Sequence, residues 1–132
     1  MSAPSSLETD PIHLNGSLSA IPVSSFRFTP DGFRAYMAAH CSVEDPGRIV
    51  MIEHSSTDWP MWERHTAGDE VVIVISGTAR FIQELDGDPA PLTLSAGEAV
   101  INPAGVWHTA DVVQPFSAVY LTPCPGTEHR PR

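Results

Sequence analysis

The sequence predicts an all-β domain, a sandwich or barrel of short antiparallel strands. Two patterns carry that expectation. About eight segments rich in Val, Ile, Thr and aromatic residues recur at short spacing with turn signals between them. The 13 prolines and 9 glycines are scattered rather than clustered, which favours many short elements over long helices. No internal repeat and no heptad pattern is visible.

Taken in order, residues 1–24 are rich in Ser, Pro and small side chains and read as a flexible arm or extended strap. Residues 33–39 hold the best short helical patch, with an irregular strand lead-in as the competing reading. Asp45, Pro46 and Gly47 form a turn, and residues 48–54 follow as a strand. A hairpin of strands 60–66 and 70–76 comes next, closed by the turn-forming run Thr66, Ala67, Gly68, Asp69. A tight turn at Gly77 leads into a strand over 78–85, and residues 86–89 turn again. Further short strands are expected at 92–94, 99–101, 106–113 and 116–121. The domain proper spans 25–125, and residues 126–132 read as a polar, frayed tail.

One strand departs from simple alternation. Val71 to Ile75 are apolar on both faces, whereas an antiparallel strand with a solvated face should alternate. The parity set by Glu70 places Val72, Val74 and Ser76 inside. Val71, Ile73 and Ile75 then need other cover, and a second subunit in a homodimer is the preferred source.

The chain is long enough at 132 residues for one domain with its own core. Its formal charge is −9, and all seven basic residues are Arg. An acidic chain without a basic run is a poor partner for nucleic acid or an anionic membrane surface. The absence of Lys excludes Schiff-base and P-loop lysine chemistry. No apolar run reaches the roughly 18 residues that a membrane span needs. Residues 1–10 show neither the basic start nor the apolar core of a signal peptide, so a cytoplasmic location is expected. Cys41 and Cys124 fall in no C-x-x-C pair and read first as reduced structural thiols, a disulfide being the open alternative.

Chemistry concentrates in the hairpin. Glu63 and His65 are two residues apart on one strand, so their side chains share a face. Glu70 opens the returning strand toward the same interior. Two carboxylates and one imidazole make half of a metal site, and His108 is the best candidate to complete it. A plainer reading stands beside this. Glu63 and Glu70 would be rim acids paired with Arg64, Arg80 or Arg48, and the two histidines satisfied core residues. His13, His40, His54 and His129 lack a partner pattern and read as surface or structural. Of Glu53 and His54, one is a weak candidate to face the cavity.

Two motifs then carry a resemblance. The first reads Glu63-x-His65, four residues, Glu70, six residues, Gly77. The second reads Gly97, five residues, Pro103-x-Gly105, two residues, His108. Together they resemble the cupin superfamily over about residues 45–122. The family's first motif opens with His where this chain has Glu63; some cupin groups place Gln there, so an oxygen ligand is tolerated. The resemblance implies a double-stranded β-helix, a jelly-roll barrel with its site at the open mouth. It also implies one divalent metal held at His65, Glu70 and His108, with Glu63 as fourth ligand or general base. Two imidazoles and two carboxylates bring a formal charge of −2, suited to Fe(II) or Mn(II) and acceptable to Zn(II).

The expected function is that of a small metal-binding cupin, a metal-dependent enzyme of dioxygenase, isomerase or lyase type, with Glu63 as catalytic base. Its substrate would be a small organic molecule bound against Trp59, Met61, Val72 and Phe81. The alternative is a non-catalytic sensing or binding module. A metal-free epimerase-like site would need a Tyr acid, for which only Tyr36 and Tyr120 are present.

Overall fold

The computed structural model describes residue 4 and residues 6–132. Residues 1–3 and 5 of the expected arm lie outside the described residues. The rest of that arm joins the sheet: β1 (Ile12–Leu14) and β2 (Ala20–Pro22) pair antiparallel, and β1 continues onto β3 (Arg48–Ser55). Between them runs one helix, α1 (Pro30–His40). It is longer than the patch at 33–39 because its start is well capped. The Thr29 hydroxyl accepts the Gly32 amide at 3.0 Å, and Pro30 occupies the first turn, where its missing N–H costs nothing.

After β3 come β4 (Met61–His65), β5 (Glu70–Leu85), β6 (Asp88–Ser95), β7 (Ala99–Asn102), β8 (His108–Pro123) and β9 (Thr127–Pro131). Three of these differ from expectation, β8 being one strand where the sequence predicts two, at 106–113 and 116–121. The tight turn at Gly77 is a kink, and β5 passes through it as one 16-residue strand. Gly77 sits at φ +76°, and a Cβ there would lie 2.0 Å from the Pro115 carbonyl oxygen, so the backbone bends without leaving the ladder. Pairing with β8 shifts register between Val74 and Ala79, which breaks the simple parity and leaves Ser76 exposed rather than inside. The polar tail is β9, paired with β4 over its full length.

β5 and β8 are the frame. The second half of β8 pairs with both β3 and the first half of β5, and its first half pairs with the second half of β5. Each long strand therefore belongs to both faces of the barrel. Across the interior, Ile49, Met51, Val72, Val74, Phe81 and Phe116 are buried. The Val72 and Val74 prediction holds, and both are fully buried. Phe33 and Met37 on α1 pack against this core, so the helix closes one side of the barrel.

Cys41, which caps α1, is bonded to Cys124 at the end of β8. The expectation of reduced thiols is thereby corrected. Residues 83 apart in sequence meet because the helix packs on the barrel where β8 ends. A cross-link closing so long a loop removes much entropy from the unfolded chain. Cys41→Ser is expected to lower the unfolding free energy by about 2–4 kcal/mol in denaturant titrations without reductant. Wild-type stability in that variant would show that the cross-link contributes nothing.

Candidate metal centre

Glu63 and His65 reach the barrel interior because β4 is held between β8 and β9 in a fixed register. Glu63 is the cross-strand partner of His108 on one side and of His129 on the other. His65 stands opposite Thr127. Cross-strand neighbours on one face meet at their side chains, and here they hydrogen-bond. The His129 Nε2 lies 3.0 Å from Glu63 Oε2, and the His65 Nδ1 lies 2.9 Å from the Thr127 hydroxyl.

Glu70 is oriented in the same way from the other face. Its neighbour on β7 is Asn102, and the β5–β8 register brings Thr122 to its other side. Asn102 donates its amide to Glu70 Oε1 at 3.0 Å, and the Thr122 hydroxyl donates to Oε2 at 2.7 Å. Asn102 is itself steadied by Gln83, whose amide donates to its Oδ1 at 2.9 Å. His108 opens β8 just after the turn at Pro103–Gly105, and its Nδ1 faces the Val106 carbonyl at 3.3 Å.

The four predicted side chains converge. Ligand atoms of Glu63, His65, Glu70 and His108 all lie within 4.8 Å of one another. His65 Nε2 is 2.9 Å from Glu63 Oε1 and 3.1 Å from Glu70 Oε2, and His108 Nε2 is 3.3 Å from Glu70 Oε1. Neither Nε2 is aligned for a hydrogen bond with any acceptor, although both atoms are buried. Their Nδ1 atoms are engaged elsewhere, which holds each ring so that Nε2 points inward and offers its lone pair once deprotonated. Buried polar atoms without partners are costly. A cation among two lone pairs and two carboxylates would satisfy all of them, so the residues present fit a divalent metal. The readings of these acids as rim partners of arginine do not match: Arg64 pairs with Glu128, and Arg48 donates to the Asp69 carbonyl.

Beside the quartet opens a cavity of about 760 Å³. Trp59 and Met61 line it, as do Glu63, His65 and Glu70. Val72 and Phe81 do not; both side chains are fully buried in the packed core, with no surface toward the cavity. Trp62 and Trp107 point outward, as alternation requires, and Arg64 and Arg130 stack on Trp107 at 4.6 and 4.5 Å. Several cavity residues escaped the sequence reading. His129 was assigned to a structural role in a frayed tail, yet it lines the cavity and contacts Glu63. Its signal was present: Thr127 and His129 repeat the two-residue spacing of Glu63 and His65. Of Glu53 and His54, it is Glu53 that faces the cavity, whereas His54 is exposed and contacts Ser117 and Glu8. Tyr120 also lines it, and its hydroxyl is buried without a partner.

Comparison with known proteins follows the same line. The family model described as Cupin domain (Cupin_2) matches residues 48–124. The chain belongs to the cupin family. No curated protein gives a significant match. Among solved structures, a cupin-2 domain protein from Shewanella frigidimarina is 22% identical, with 70% of this chain and 92% of that one covered and a TM-score of 0.51. A double-stranded β-helix protein from Klebsiella pneumoniae is 24% identical, covering 64% of this chain and 76% of that one, TM-score 0.51. A hydroquinone 1,2-dioxygenase in complex with Cd2+ and 4-hydroxybenzonitrile is 21% identical, TM-score 0.51, and covers 59% of this chain. The match spans 58% of that dioxygenase chain, less than two thirds of its length. At these identities the likeness shows the shared fold.

Electrostatics in this cupin centre are set by burial against opposite charge. Burial alone would lower the pKa of His65 and His108, but the adjacent Glu63 and Glu70 carboxylates outweigh it and raise both to about 9. Burial likewise pushes Glu70 up, and the two histidines more than offset it, bringing Glu70 down to about 2. Glu63 is also held well below the usual carboxylate range: burial opposes this, and His108, His129 and His65 outweigh it. The metal-free centre therefore carries imidazolium beside carboxylate near neutral pH. A histidine pKa raised on folding contributes stability that is complete below pH 6.5 and lost as pH rises through about 9. A metal needs the neutral imidazoles, so it must displace those protons. Zn2+ binding at pH 7.5 is expected to release between one and two protons, measured by calorimetry in buffers of different ionisation enthalpy. Affinity should rise between pH 6.5 and 9 and level off above. Binding without proton release would overturn this account of the histidines.

Proposed function

We propose that this cupin is a metal-dependent enzyme acting on a small organic molecule, with His65, Glu70 and His108 as ligands. The two buried Nε2 atoms that converge without hydrogen-bond partners carry this reading. A bound Fe(II), Mn(II) or Zn(II) would supply Lewis-acid polarisation of substrate oxygens, and iron would add oxygen chemistry.

The chain's own groups divide the remaining work. Glu70 is buried and accepts two hydrogen bonds from Asn102 and Thr122, a fixed ligand with no freedom to move. Glu63 is 26% exposed at its side chain and borders the cavity, so it can be reached by substrate. It serves as a fourth ligand or as the base that accepts a proton at Oε1, while His129 steadies Oε2. Proton removal alpha to a carbonyl suits isomerase or lyase chemistry. Dioxygenase chemistry also suits the donor set, and a distant solved cupin with this fold is a hydroquinone 1,2-dioxygenase. The alternative is a non-catalytic binding module in which Glu63 closes the shell; four donors within 4.8 Å favour it to that extent.

Protein purified without chelators should carry close to one iron, manganese or zinc per chain by elemental analysis. His108→Ala should lose it, and Glu63→Ala should retain more of it than Glu70→Ala does. A metal-free wild type that also fails to take up added Mn2+ or Zn2+ would sink the reading.

We further propose that the protein pairs with a second copy through the outer face of its main sheet. The strand register aligns Val50, Leu121, Val71 and Ile101 in one row, and Ile52, Val119, Ile73 and Ala99 in the next. No charge interrupts these rows, and Ile101 is 59% exposed. In a chain of charge −9, an uncharged face is where two copies can meet with least repulsion. Light scattering should report twice the 14.3 kDa chain mass, and Ile73→Glu should halve it. A monomeric wild type would refute the pairing.

A further inference from the structure

We infer that the cavity takes an uncharged aromatic molecule of one or two rings bearing oxygen substituents, read beside Glu70 by the Tyr120 hydroxyl. This deepens the metal-enzyme reading, on which it rests for the reacting end of the molecule.

The first support is the charge of the walls. Glu53, Glu63 and Glu70 all face the cavity, and no arginine lines it among the described residues. The arginines nearest the barrel are committed elsewhere. Arg48 holds the Asp69 carbonyl, Arg64 and Arg130 lie on Trp107, and Arg132 pairs with Asp111. His129 is the one cationic candidate beyond the quartet, and it is held by Glu63. A phosphate or dicarboxylate entering here would meet carboxylates and no guanidinium clamp.

The second support is the chemistry of the surface. Phe33 and Met37 come from α1, Met51 from β3, and Trp59, Met61 and Tyr120 complete an aromatic and thioether wall. Trp59 and Tyr120 lie with ring centroids 6.2 Å apart. Flat aromatic faces and methionine sulfur suit an aromatic ring. A sugar, with a hydroxyl on nearly every carbon, would leave most of them unpaired against such a wall. The volume of about 760 Å³ falls in the range of small-molecule sites.

The third support is the orphan donor. Tyr120 is 2% exposed, and its hydroxyl is buried without a hydrogen-bond partner. The Tyr36 hydroxyl is different: it is engaged by His13 at 2.6 Å and by Cys124 at 3.3 Å, and is not free to read a ligand. Tyr120 sits opposite Met51 and Val72 in the sheet, beside Trp59 and two residues along the strand from Thr122, which donates to Glu70. A ligand oxygen at that point would satisfy it.

The test uses the full chain loaded with Zn2+, which is redox-inert, and three probes at pH 7: naphthalene-2,3-diol, phthalate and glucose 6-phosphate. Calorimetry is expected to show the diol binding at least tenfold tighter than either anion. Tyr120→Phe is expected to weaken the diol about fivefold to thirtyfold with zinc content and melting temperature unchanged. Phthalate or glucose 6-phosphate binding as well as the diol would overturn the inference, and so would full diol affinity in Tyr120→Phe. The two readings fail separately. Stoichiometric zinc with no diol binding removes the inference and leaves the metal centre. Diol binding by a wild type that takes up no zinc supports the inference and removes the metal-enzyme reading.

Discussion

Two carboxylates and two imidazoles are held within one buried cluster, and much of the barrel interior exists to keep them there. Like charges at such distances repel unless something positive sits among them. Without a metal that role falls to protons on His65 and His108, which is why both pKa values rise to about 9 despite burial. The constraint is geometric before it is electrostatic. Glu63 has a histidine beside it on each neighbouring strand, and Glu70 has Asn102 and Thr122. Each ligand is thus aimed by its cross-strand neighbours, and a slip of one residue in any of these ladders would turn its side chain to the outer face.

The long strands explain how one register can serve two faces. β8 begins with His108 and ends beside Cys124, contributing a ligand at one end and the Thr122 support at the other. β5 begins with Glu70 and bends at Gly77 before reaching Gln83, which returns to steady Asn102. The kink needs a residue without a Cβ because Pro115 lies directly against it. Gly77, which closes the first sequence motif, therefore acts on the metal centre through backbone shape rather than contact.

The cavity divides its labour by polarity. Its floor is Glu63, His65 and Glu70, its wall is aromatic and methionine-rich, and α1 closes the side, tied down by the bond from Cys41 to Cys124. Burial first, then the nearby Glu63 and Glu70, raise the Glu53 pKa to about 7, so this carboxyl is only partly charged near neutral pH. The tail closes the remaining gap, since β9 brings His129 to Glu63 and Thr127 to His65.

What the sequence determined by itself was the class of fold and which four side chains, Glu63, His65, Glu70 and His108, converge. Both follow from short-range periodicity: side chains two apart on a strand share a face, and fixed spacings around Gly77, Pro103 and Gly105 set the turns. Those rules act within a few residues and are readable in a linear string. The supports of the centre were decided only in three dimensions. Asn102, Thr122, Tyr120 and His129 matter because of which strand lies beside which, and no local pattern encodes strand order. The same holds for Val72 and Phe81, expected along the cavity but buried by packing in the core. Cys41 and Cys124, 83 residues apart, meet for the same reason: a helix docks where a distant strand happens to end.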